Sequence, residues 1–438
     1  MRWIRLFARA LPALFCVTAC GHDGLAPSPA TAPFSAAGAA HPDTLHVVPL
    51  HDFTFAETFI GKSGGSAGLI GDPTRALFGV APAGGDLKCR DGNKGCGFIY
   101  ELKPQTGTSP YKEIPLYTFH GKDGLDGAEP SATLVVGERG TGVLYGTTVF
   151  GGQYGKGTVF RLTPTQTPYK YKERVIYSFG ASKDDGQYPY SSVTEIHRVL
   201  YGTTSAGGAY NKGIVFGINV TGSPEIKLHD FGGSVDGATP YAGLINVGGT
   251  LYGTTSAGGM NPSCGTVFSI STSGSEMVVH DFTGKPSDGC NPLGSGVIAI
   301  NGVLYGTTSS GGKHNVCDCG TIYSVSASGS ERVLHSFSGG GSPEASLVDY
   351  NGVLYGSTFY GGKLPSGKCS LNPNGCGVVF SFDPSGSPPY AVQFTFSGPR
   401  SGGGANPAAP LLASGGNFYG TSSHGGAHGH GEAFELTP

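Results

Sequence analysis

The sequence predicts an all-β protein, a seven-bladed β-propeller with four-stranded blades. Three observations support this prediction: one sequence unit occurs seven times, each copy contains four short strand patterns, and the copies are offset by one strand between the two ends of the chain. Glycine is abundant, at 77 residues, and recurs at fixed places between runs rich in Val, Phe, Tyr and Thr. This arrangement is typical of many short strands joined by tight turns.

Residues 1–19 have the features of a signal peptide, with arginines first and a short apolar stretch after them. The stretch leads to Val17-Thr18-Ala19-Cys20, which resembles the lipobox of bacterial lipoproteins. The resemblance implies cleavage after Ala19 and lipidation of Cys20, which anchors the chain to the membrane. The alternative is an ordinary secretory signal with an incidental cysteine. Because Gly21 follows the cysteine, where Asp resembles an inner-membrane retention signal, the outer membrane or cell surface of a Gram-negative bacterium is favoured.

Residues 20–43 comprise the lipidated cysteine and a linker rich in Ala, Pro, Ser and Gly. The linker has almost no large apolar side chains, so it cannot form a core and is predicted to be a flexible tether. A coil of this length reaches roughly 25 Å. The folded repeat domain is predicted to span residues 44–438.

The repeated unit contains the phrase Leu-Tyr-Gly-Thr-Thr or a variant of it, followed by a Gly-Gly pair. The seven phrases begin at Leu77, Leu144, Leu200, Leu251, Leu304, Leu354 and Phe418. An apolar run precedes each phrase, and two further strand patterns follow it, as in 157–160 and 228–231. Four strands in about 50 residues is the period of a propeller blade. The glycine of the phrase is predicted to make room for a neighbouring backbone.

The two ends of the chain predict that the repeats close into a ring. The chain ends at 432–438 with a third strand that no fourth strand follows, and an orphan fourth strand lies at 45–53. Ring closure requires this offset if the first strand completes the last blade, and closure removes the edge that an open array exposes. An open β-solenoid, the main alternative, gives no reason for the offset.

The repeated unit resembles the GloVer tandem-repeat proteins, which are exported bacterial "choice-of-anchor" proteins held to the cell by different devices. The resemblance covers residues 45–438 and rests on the Leu-Tyr-Gly-Thr-Thr phrase, the Gly-Gly pair, the Gly-Thr-Val-Phe strand and the Leu-His-x-Phe ending. It implies a surface protein whose anchor is the lipobox, and it carries no established activity or catalytic residues. The double glycine is more distantly similar to kelch repeats, which form propellers. Departures are modest: Phe78 in the first repeat, and the lost Asp-Gly phrase before the sixth and seventh.

An even number of cysteines in an exported domain predicts disulfides. The eight candidates are Cys89, Cys96, Cys264, Cys290, Cys317, Cys319, Cys369 and Cys376. The first two and the last two are predicted to pair within their own loops. The middle four remain open between 264–290 with 317–319 and crosswise pairing, and a zinc site at 317 and 319 is the rival hypothesis. Blade topology places all eight on one face, where the loops between second and third strands emerge.

The densest polar cluster lies in blade seven and contains His424, His428 and His430. A divalent-metal or ligand site is one hypothesis for these histidines. A solvated turn is the alternative, because blades two and three have Tyr and Lys at the positions of His428 and His430. No other cofactor is expected.

Two further residue types recur at equivalent places. Asp-Gly phrases before the first strand are predicted to form Asx-turns, with calcium ligation as the alternative; they begin at Asp126, Asp185, Asp236 and Asp288. Histidines in the fourth strand are predicted to pack within the repeat rather than to catalyse; they are His51, His229, His280 and His335.

Net charge and motif content exclude several classes of function. The formal net charge is −3 and there is no basic stripe, which argues against a nucleic-acid partner. The sequence has no nucleophile elbow, P-loop, dinucleotide loop or HExxH motif. The favoured function is a monomeric, lipid-anchored binding or scaffold module for a glycan, peptide or protein, with the lipid on the face opposite the cysteine-bearing loops. A polysaccharide-active hydrolase or lyase is the alternative, although first-strand segments such as 242–246 and 296–300 offer few catalytic side chains.

Overall fold

A computed structural model confirms the seven-bladed propeller. It describes residues 45–54, 67–89, 95–105, 110–121, 126–138, 140–222, 224–232, 235–261, 264–294, 296–313, 317–339, 341–362, 375–398 and 403–438. These residues belong to one compact unit, Gly38–Pro438. They contain strands throughout, and no helix among them is long and apolar enough to cross a bilayer. The predicted signal peptide, Cys20 and the linker lie outside the described residues.

Each blade is an antiparallel sheet with sequential strand order, and β1 (His46–Asp52) belongs to the last one. Blade 1 contains β2 (Ile70–Asp72), β3 (Ala76–Ala81), β4 (Phe98–Pro104) and β5 (Tyr111–Thr118). Blade 2 contains β6 (Gly127–Pro130), β7 (Val135–Val136), β8 (Leu144–Gly151), β9 (Thr158–Pro164) and β10 (Tyr171–Ser178). Blade 3 contains β11 (Gly186–Gln187), β12 (Thr194–Ile196), β13 (Val199–Thr204), β14 (Ala206–Gly207), β15 (Ile214–Asn219) and β16 (Ile226–Asp230).

The other four blades repeat this plan. Blade 4 contains β17 (Gly237–Ala238), β18 (Ile245–Val247), β19 (Thr250–Thr255), β20 (Ala257–Gly258), β21 (Thr266–Ser271) and β22 (Glu276–Asp281). Blade 5 contains β23 (Gly289–Cys290), β24 (Ile298–Ile300), β25 (Val303–Thr308), β26 (Ser310–Gly311), β27 (Thr321–Ser326) and β28 (Glu331–Ser336). Blade 6 contains β29 (Val348–Tyr350), β30 (Val353–Thr358), β31 (Val378–Phe382) and β32 (Tyr390–Thr395). Blade 7 contains β33 (Gly404–Pro407), β34 (Leu412–Ser414), β35 (Asn417–Gly425) and β36 (Glu432–Thr437).

Strand β1 closes the ring as the fourth strand of blade 7, as the sequence predicts. It pairs antiparallel with β36 along its whole length. The Phe53 N–H donates to the Gly431 carbonyl at 3.2 Å, and the Asp52 carboxylate accepts from the Ala427 N–H at 2.9 Å. The fourth strand of blade 3, which follows its third strand directly, makes the same two contacts. β1 therefore takes the place of the fourth strand that does not follow β36.

One pair of buried aromatic rings fills every blade interface. The Phe that ends each fourth strand packs against the third-strand aromatic of the next blade, with ring centroids 5.0–5.4 Å apart. The seven pairs are Phe53–Tyr100, Phe119–Phe160, Phe179–Phe216, Phe231–Phe268, Phe282–Tyr323, Phe337–Phe380 and Phe396–Phe434. We call these seven pairs the aromatic layer.

The glycine of the Leu-Tyr-Gly phrase makes the aromatic layer possible. A Cβ on Gly202 would lie 2.6 Å from the ring of Phe216 in the same blade. Such a contact is too short for any real Cβ, so a larger residue would displace the ring. The prediction that this glycine makes room for a neighbouring backbone is therefore wrong, because the space is occupied by an aromatic side chain.

A backbone latch also joins consecutive blades on the face that carries the second-to-third loops, which we call the loop face. Tyr188 has a φ of +59°, and its N–H donates to the Lys156 carbonyl of blade 2 at 2.9 Å. The following Pro189 packs on Gly157, where a Cβ would lie 2.5 Å from the proline Cδ. Positive φ is uncommon for a residue with a side chain, so the latch fixes this segment in a specific conformation.

Candidate functional site

A β-bulge in every fourth strand directs two side chains toward opposite neighbouring blades. In blade 3 the pairing of β15 with β16 shifts register between Val215 and Phe216. Residues four apart share a face of an unbroken strand, but the extra residue of a bulge places them on opposite faces. Glu225 therefore contacts blade 2, whereas His229 contacts the turn that leads into blade 4.

The bulges bring three residue types together where neighbouring fourth strands meet, a region we call the rim. These are the His or Tyr of one blade, the Asp of the following Asp-Gly phrase, and the Glu of the next fourth strand. Two interfaces complete this set with histidine, whereas at the 7/1 interface Nε2 of His51 lies 3.2 Å from Oε2 of Glu113. The 3/4 triad consists of His229, Asp236 and Glu276, and the 4/5 triad consists of His280, Asp288 and Glu331.

Both triads place a nitrogen and two carboxylates around one point. The Nε2 atom of His229 lies 2.9 Å from Oδ2 of Asp236. The Nε2 atom of His280 lies 3.3 Å from Oδ2 of Asp288. In each triad one potential ligand atom from every residue lies within 4.8 Å of the other two. The sequence predicts packing for these histidines, and the structure adds direct contacts with acidic side chains.

Tyrosine replaces histidine at the 1/2 and 2/3 interfaces. The Tyr177 hydroxyl is a hydrogen-bond partner of both Asp185, at 3.2 Å, and Glu225, at 3.3 Å. Tyr117 forms a hydrogen bond with Asp126 in the same way. Burial raises the pKa of Tyr177, as do the two carboxyl groups, so the phenol stays neutral. These interfaces therefore join carboxyl groups through a neutral hydroxyl.

The rim raises the pKa of its glutamates. Burial, followed by the charge of the neighbouring Asp, raises the pKa of Glu173 and of Glu225 to about 8. The same two causes raise the pKa of Glu276 and of Glu331 to about 7. Burial lowers the pKa of His229, but the hydrogen bond with Asp236 and its charge outweigh burial, so the pKa is raised overall. Two carboxyl groups this close favour a shared proton or a cation between them.

The Asp-Gly aspartates hold the rim in place through the backbone. The Asp185 carboxylate accepts from Gly180 N–H at 2.7 Å and from Ala181 N–H at 2.8 Å. Asp236 accepts from Gly232 N–H at 3.2 Å and from Gly237 N–H at 2.6 Å. The donors precede the turn or follow the aspartate directly, whereas an Asx-turn uses the N–H two residues later. The predicted Asx-turn is therefore not the arrangement that these contacts form.

The three histidines predicted as a metal or ligand site lie apart from the rim. His424 is partly buried in β35, with Nδ1 2.9 Å from the Ser423 hydroxyl. His428 is exposed in the turn, and His430 is partly buried just before β36. Among the described residues, two groups could hold a metal ion, and both are rim triads. Metal binding at His424, His428 and His430 stays a prediction that geometry does not support.

Disulfides are present in the loop face. The bonded pairs are Cys89–Cys96, Cys264–Cys290 and Cys317–Cys319. Cys376 is also disulfide-bonded, and Cys369, its predicted partner, lies outside the described residues. Of the two pairings left open by the sequence, the structure has 264–290 with 317–319. Bonded sulfurs do not provide the thiolates that the alternative zinc site would need.

The loop face also carries a group of aromatic rings, which we call the aromatic arc: Phe150, Tyr188, Tyr190 and Tyr241. All four are partly buried. Phe150 and Tyr188 have ring centroids 5.4 Å apart, and Tyr190 and Tyr241 have centroids 5.2 Å apart. The ammonium of Lys156 lies 4.9 Å above the Tyr188 ring and donates to its hydroxyl at 2.7 Å. The arc therefore offers apolar ring faces together with polar groups.

The Tyr190–Tyr241 pair of the arc lies toward the axis of the ring, because both residues directly follow the latch proline in the segments that lead into β12 and β18, the first strands of the main sheets of blades 3 and 4. The next residues of these segments have small side chains, as at Ser191 and Ala242. The first threonine of the Leu-Tyr-Gly phrase binds them across the interface, as when Thr203 Oγ1 donates to the Ala242 carbonyl at 3.2 Å. Only small side chains fit where the blades converge on the axis, so the larger rings of Tyr190 and Tyr241 lie at the loop-face end of this region. No spacing rule in the sequence singled out this arc.

Comparison with known proteins agrees with this architecture. The Gloeobacter/Verrucomicrobia repeat family matches residues 141–370, slightly more than half of the chain. No curated protein matches the sequence.

Several solved structures resemble the chain at low sequence identity. An oligogalacturonate lyase in complex with manganese has 10% identity and a TM-score of 0.49, and the match covers 90% of this chain and 98% of that one. A polysaccharide lyase has 10% identity and a TM-score of 0.48, with 88% and 91% covered. A puromycin hydrolase has 12% identity and a TM-score of 0.49, with 85% of this chain but only 52% of that chain covered. Similarity at this level carries no argument about activity.

Proposed function

The chain belongs to the Gloeobacter/Verrucomicrobia repeat family, and from that premise we propose that it is a lipid-anchored module of the cell envelope that binds a glycan through its loop face. The observation that supports this function is the aromatic arc. Its two ring pairs lie in blades 2 to 4 on the loop face, where a ligand can approach from solvent.

The arc suits a saccharide for two reasons. Aromatic side chains provide large, rigid contact surfaces at low entropic cost, and tyrosine adds a hydroxyl that can donate or accept. Sugar rings present apolar C–H faces and peripheral hydroxyls, so stacking and hydrogen bonding can act together. Tyr154 and Tyr210, in the second-to-third loops of blades 2 and 3, add aromatic surface to the same face, with 44% and 59% of their surface exposed. Disulfide-bonded loops on the same face would limit the entropy lost on binding.

The direction of β1 supports the orientation that the sequence predicts for the anchor. His46 pairs with Thr437, and Asp52 pairs with Glu432, next to the last second-to-third loop. β1 therefore begins at the end of the blade opposite the loop face. A lipid on Cys20 would hold the module by this opposite face and leave the aromatic arc directed outward.

A glycan and polysaccharide panel tests the proposal. We expect the full chain to bind a subset of glycans and the double variant Tyr190→Ala/Tyr241→Ala to bind them at least about 10-fold more weakly, because aromatic anchors dominate binding energy. Tyr169→Ala is the matched control: Tyr169 is also partly exposed, at 39%, but lies in a third-to-fourth turn away from the loop face. Equal binding by both variants, or binding of peptides alone, would contradict the proposal.

The same panel separates binding from catalysis. Each bound polysaccharide is incubated with the chain and assayed for shortened or unsaturated products. Stable binding without products supports the binding module. Product formation would instead favour the hydrolase or lyase hypothesis, with Glu344 as the first residue to test, a partly buried carboxyl just before β29 whose pKa burial raises to about 7.

A further inference from the structure

The rim offers a ligand set that the aromatic arc does not use. We propose that the 3/4 triad and the 4/5 triad are two equivalent sites for a divalent transition-metal ion such as Zn²⁺. Each ion would join the fourth strands of two neighbouring blades, so blade 4 would be held on both of its sides.

The donor types and their separation fit such an ion. Zn²⁺ binds imidazole nitrogen and carboxylate oxygen at about 2.0–2.2 Å, and tetrahedral geometry then separates two ligand atoms by roughly 3.4 Å. The His229–Asp236 and His280–Asp288 separations are 2.9 and 3.3 Å. All three donors of each triad lie within 4.8 Å of one another. Closing each triad around an ion therefore requires only small side-chain movements.

The surroundings of the triads also favour a cation. The Asp288 carboxylate is fixed by the Thr283 N–H at 2.7 Å and by the Gly289 N–H at 2.6 Å, as metal-ligating carboxylates are commonly held. Oε1 of Glu276 and Oε1 of Glu331 are buried without a hydrogen-bond partner among the described residues. A surface depression lined by Val235, Met260, Glu276 and His280 opens beside the 3/4 triad, so an ion has a route from solvent.

The chain provides its own matched comparison. Glu173 and Glu225 of the tyrosine interfaces have the same unpartnered oxygen, so the imidazole nitrogen is what distinguishes the two triads. Tyr177 occupies the position of His229 and His280 in an interface that is otherwise alike. Replacing each histidine with tyrosine therefore removes a metal ligand while keeping a side chain that this fold already accommodates.

Zinc stoichiometry tests the proposal on the full chain, purified without a histidine tag and stripped with a chelator. We expect two Zn²⁺ per chain by calorimetry and elemental analysis, one in His229→Tyr, one in His280→Tyr, and none in the double variant. Zn²⁺ should raise the melting temperature of the native chain and leave that of the double variant unchanged. Mn²⁺ and Ca²⁺ are titrated in parallel to define which ion the sites prefer.

Two controls exclude other histidine sites. His335→Tyr changes an equivalent fourth-strand residue that stacks on Tyr390 at 4.0 Å, and it should leave two ions bound. The triple His→Ala variant at 424, 428 and 430 should also leave two. If a tyrosine variant loses its fold, Glu276→Gln and Glu331→Gln provide the same test with smaller changes. No binding of any tested ion, two ions in the double tyrosine variant, or loss of ions in the triple variant would overturn the proposal.

Discussion

The aromatic layer and the rim are two regions of the same blade interfaces, yet they differ in how strictly they repeat. All seven interfaces have an aromatic pair with nearly the same spacing. The rim changes from one interface to the next: histidine with carboxylates at 3/4 and 4/5, tyrosine with carboxylates at 1/2 and 2/3, and a His335–Tyr390 stack at 5/6.

The difference shows which part of the interface the fold depends on. Buried rings cannot change size without leaving a cavity or a clash, so every repeat keeps them. The rim lies near solvent and tolerates different polar pairings as long as each buried charge has a partner. The aromatic layer therefore maintains the ring of blades, whereas the polar side chains of the rim can differ from one interface to the next. Three experiments test this difference between the aromatic layer and the rim.

Removal of residues 44–53 should have the largest effect. Leu50 and Phe53 are 1% and 2% exposed, and burying each side chain is worth about 1.5–3 kcal/mol. Deletion also exposes the edge of β36 and the Phe53–Tyr100 pair. We expect a lower melting temperature and concentration-dependent association, measured by calorimetry and light scattering. An unchanged melting temperature would show that ring closure does not stabilise the domain.

Phe231→Ala should come second, because it removes one ring from the aromatic layer, a ring that also packs on the His229 ring with centroids 4.9 Å apart. Phe→Ala in a core lowers the free energy of unfolding by about 3–5 kcal/mol. Phe231→Leu, which keeps most of the volume, is the control and should cost clearly less in denaturant titrations. If the Ala variant were no less stable than the Leu variant, the interface would not depend on close packing of the rings.

Substitutions in the rim should have the smallest effect on stability, and this effect should appear as a change in how the melting temperature depends on pH. The pKa of Glu173 and of Glu225 is about 8 in the folded chain, against 4.5 for an ordinary glutamate. Between these values the folded state holds more protons than the unfolded state, so stability should fall as the pH rises from about 5 to 8. Glu173→Gln/Glu225→Gln imitates the protonated form and should flatten this decline in melting temperature, measured with chelator present. A parallel decline in both proteins would contradict the assignment.

Sequence alone predicts the seven blades, the closing strand and the presence of disulfides correctly, since the repeats have a fixed period and a fixed order of strands. It cannot predict the rim, because the spacing of Glu225 and His229 suggests that both face the same side of a strand. No residue type marks the position of the bulge, and the bulge turns the Glu225 and His229 side chains toward different blades. For the same reason the polar cluster at His424, His428 and His430 is more conspicuous in the sequence than the triads, whose members are distributed over two blades.

The number of blades and their closure were thus determined by the sequence, because both follow from local strand patterns and from the order of strands along the chain. The choice between the two pairings of the middle cysteines, the ring beneath the Leu-Tyr-Gly glycine, and the two triads were decided only by the tertiary structure. These features depend on contacts between residues of different strands or different blades, and such contacts exist only after each bulge has set the direction of its side chains and the ring has brought neighbouring blades together.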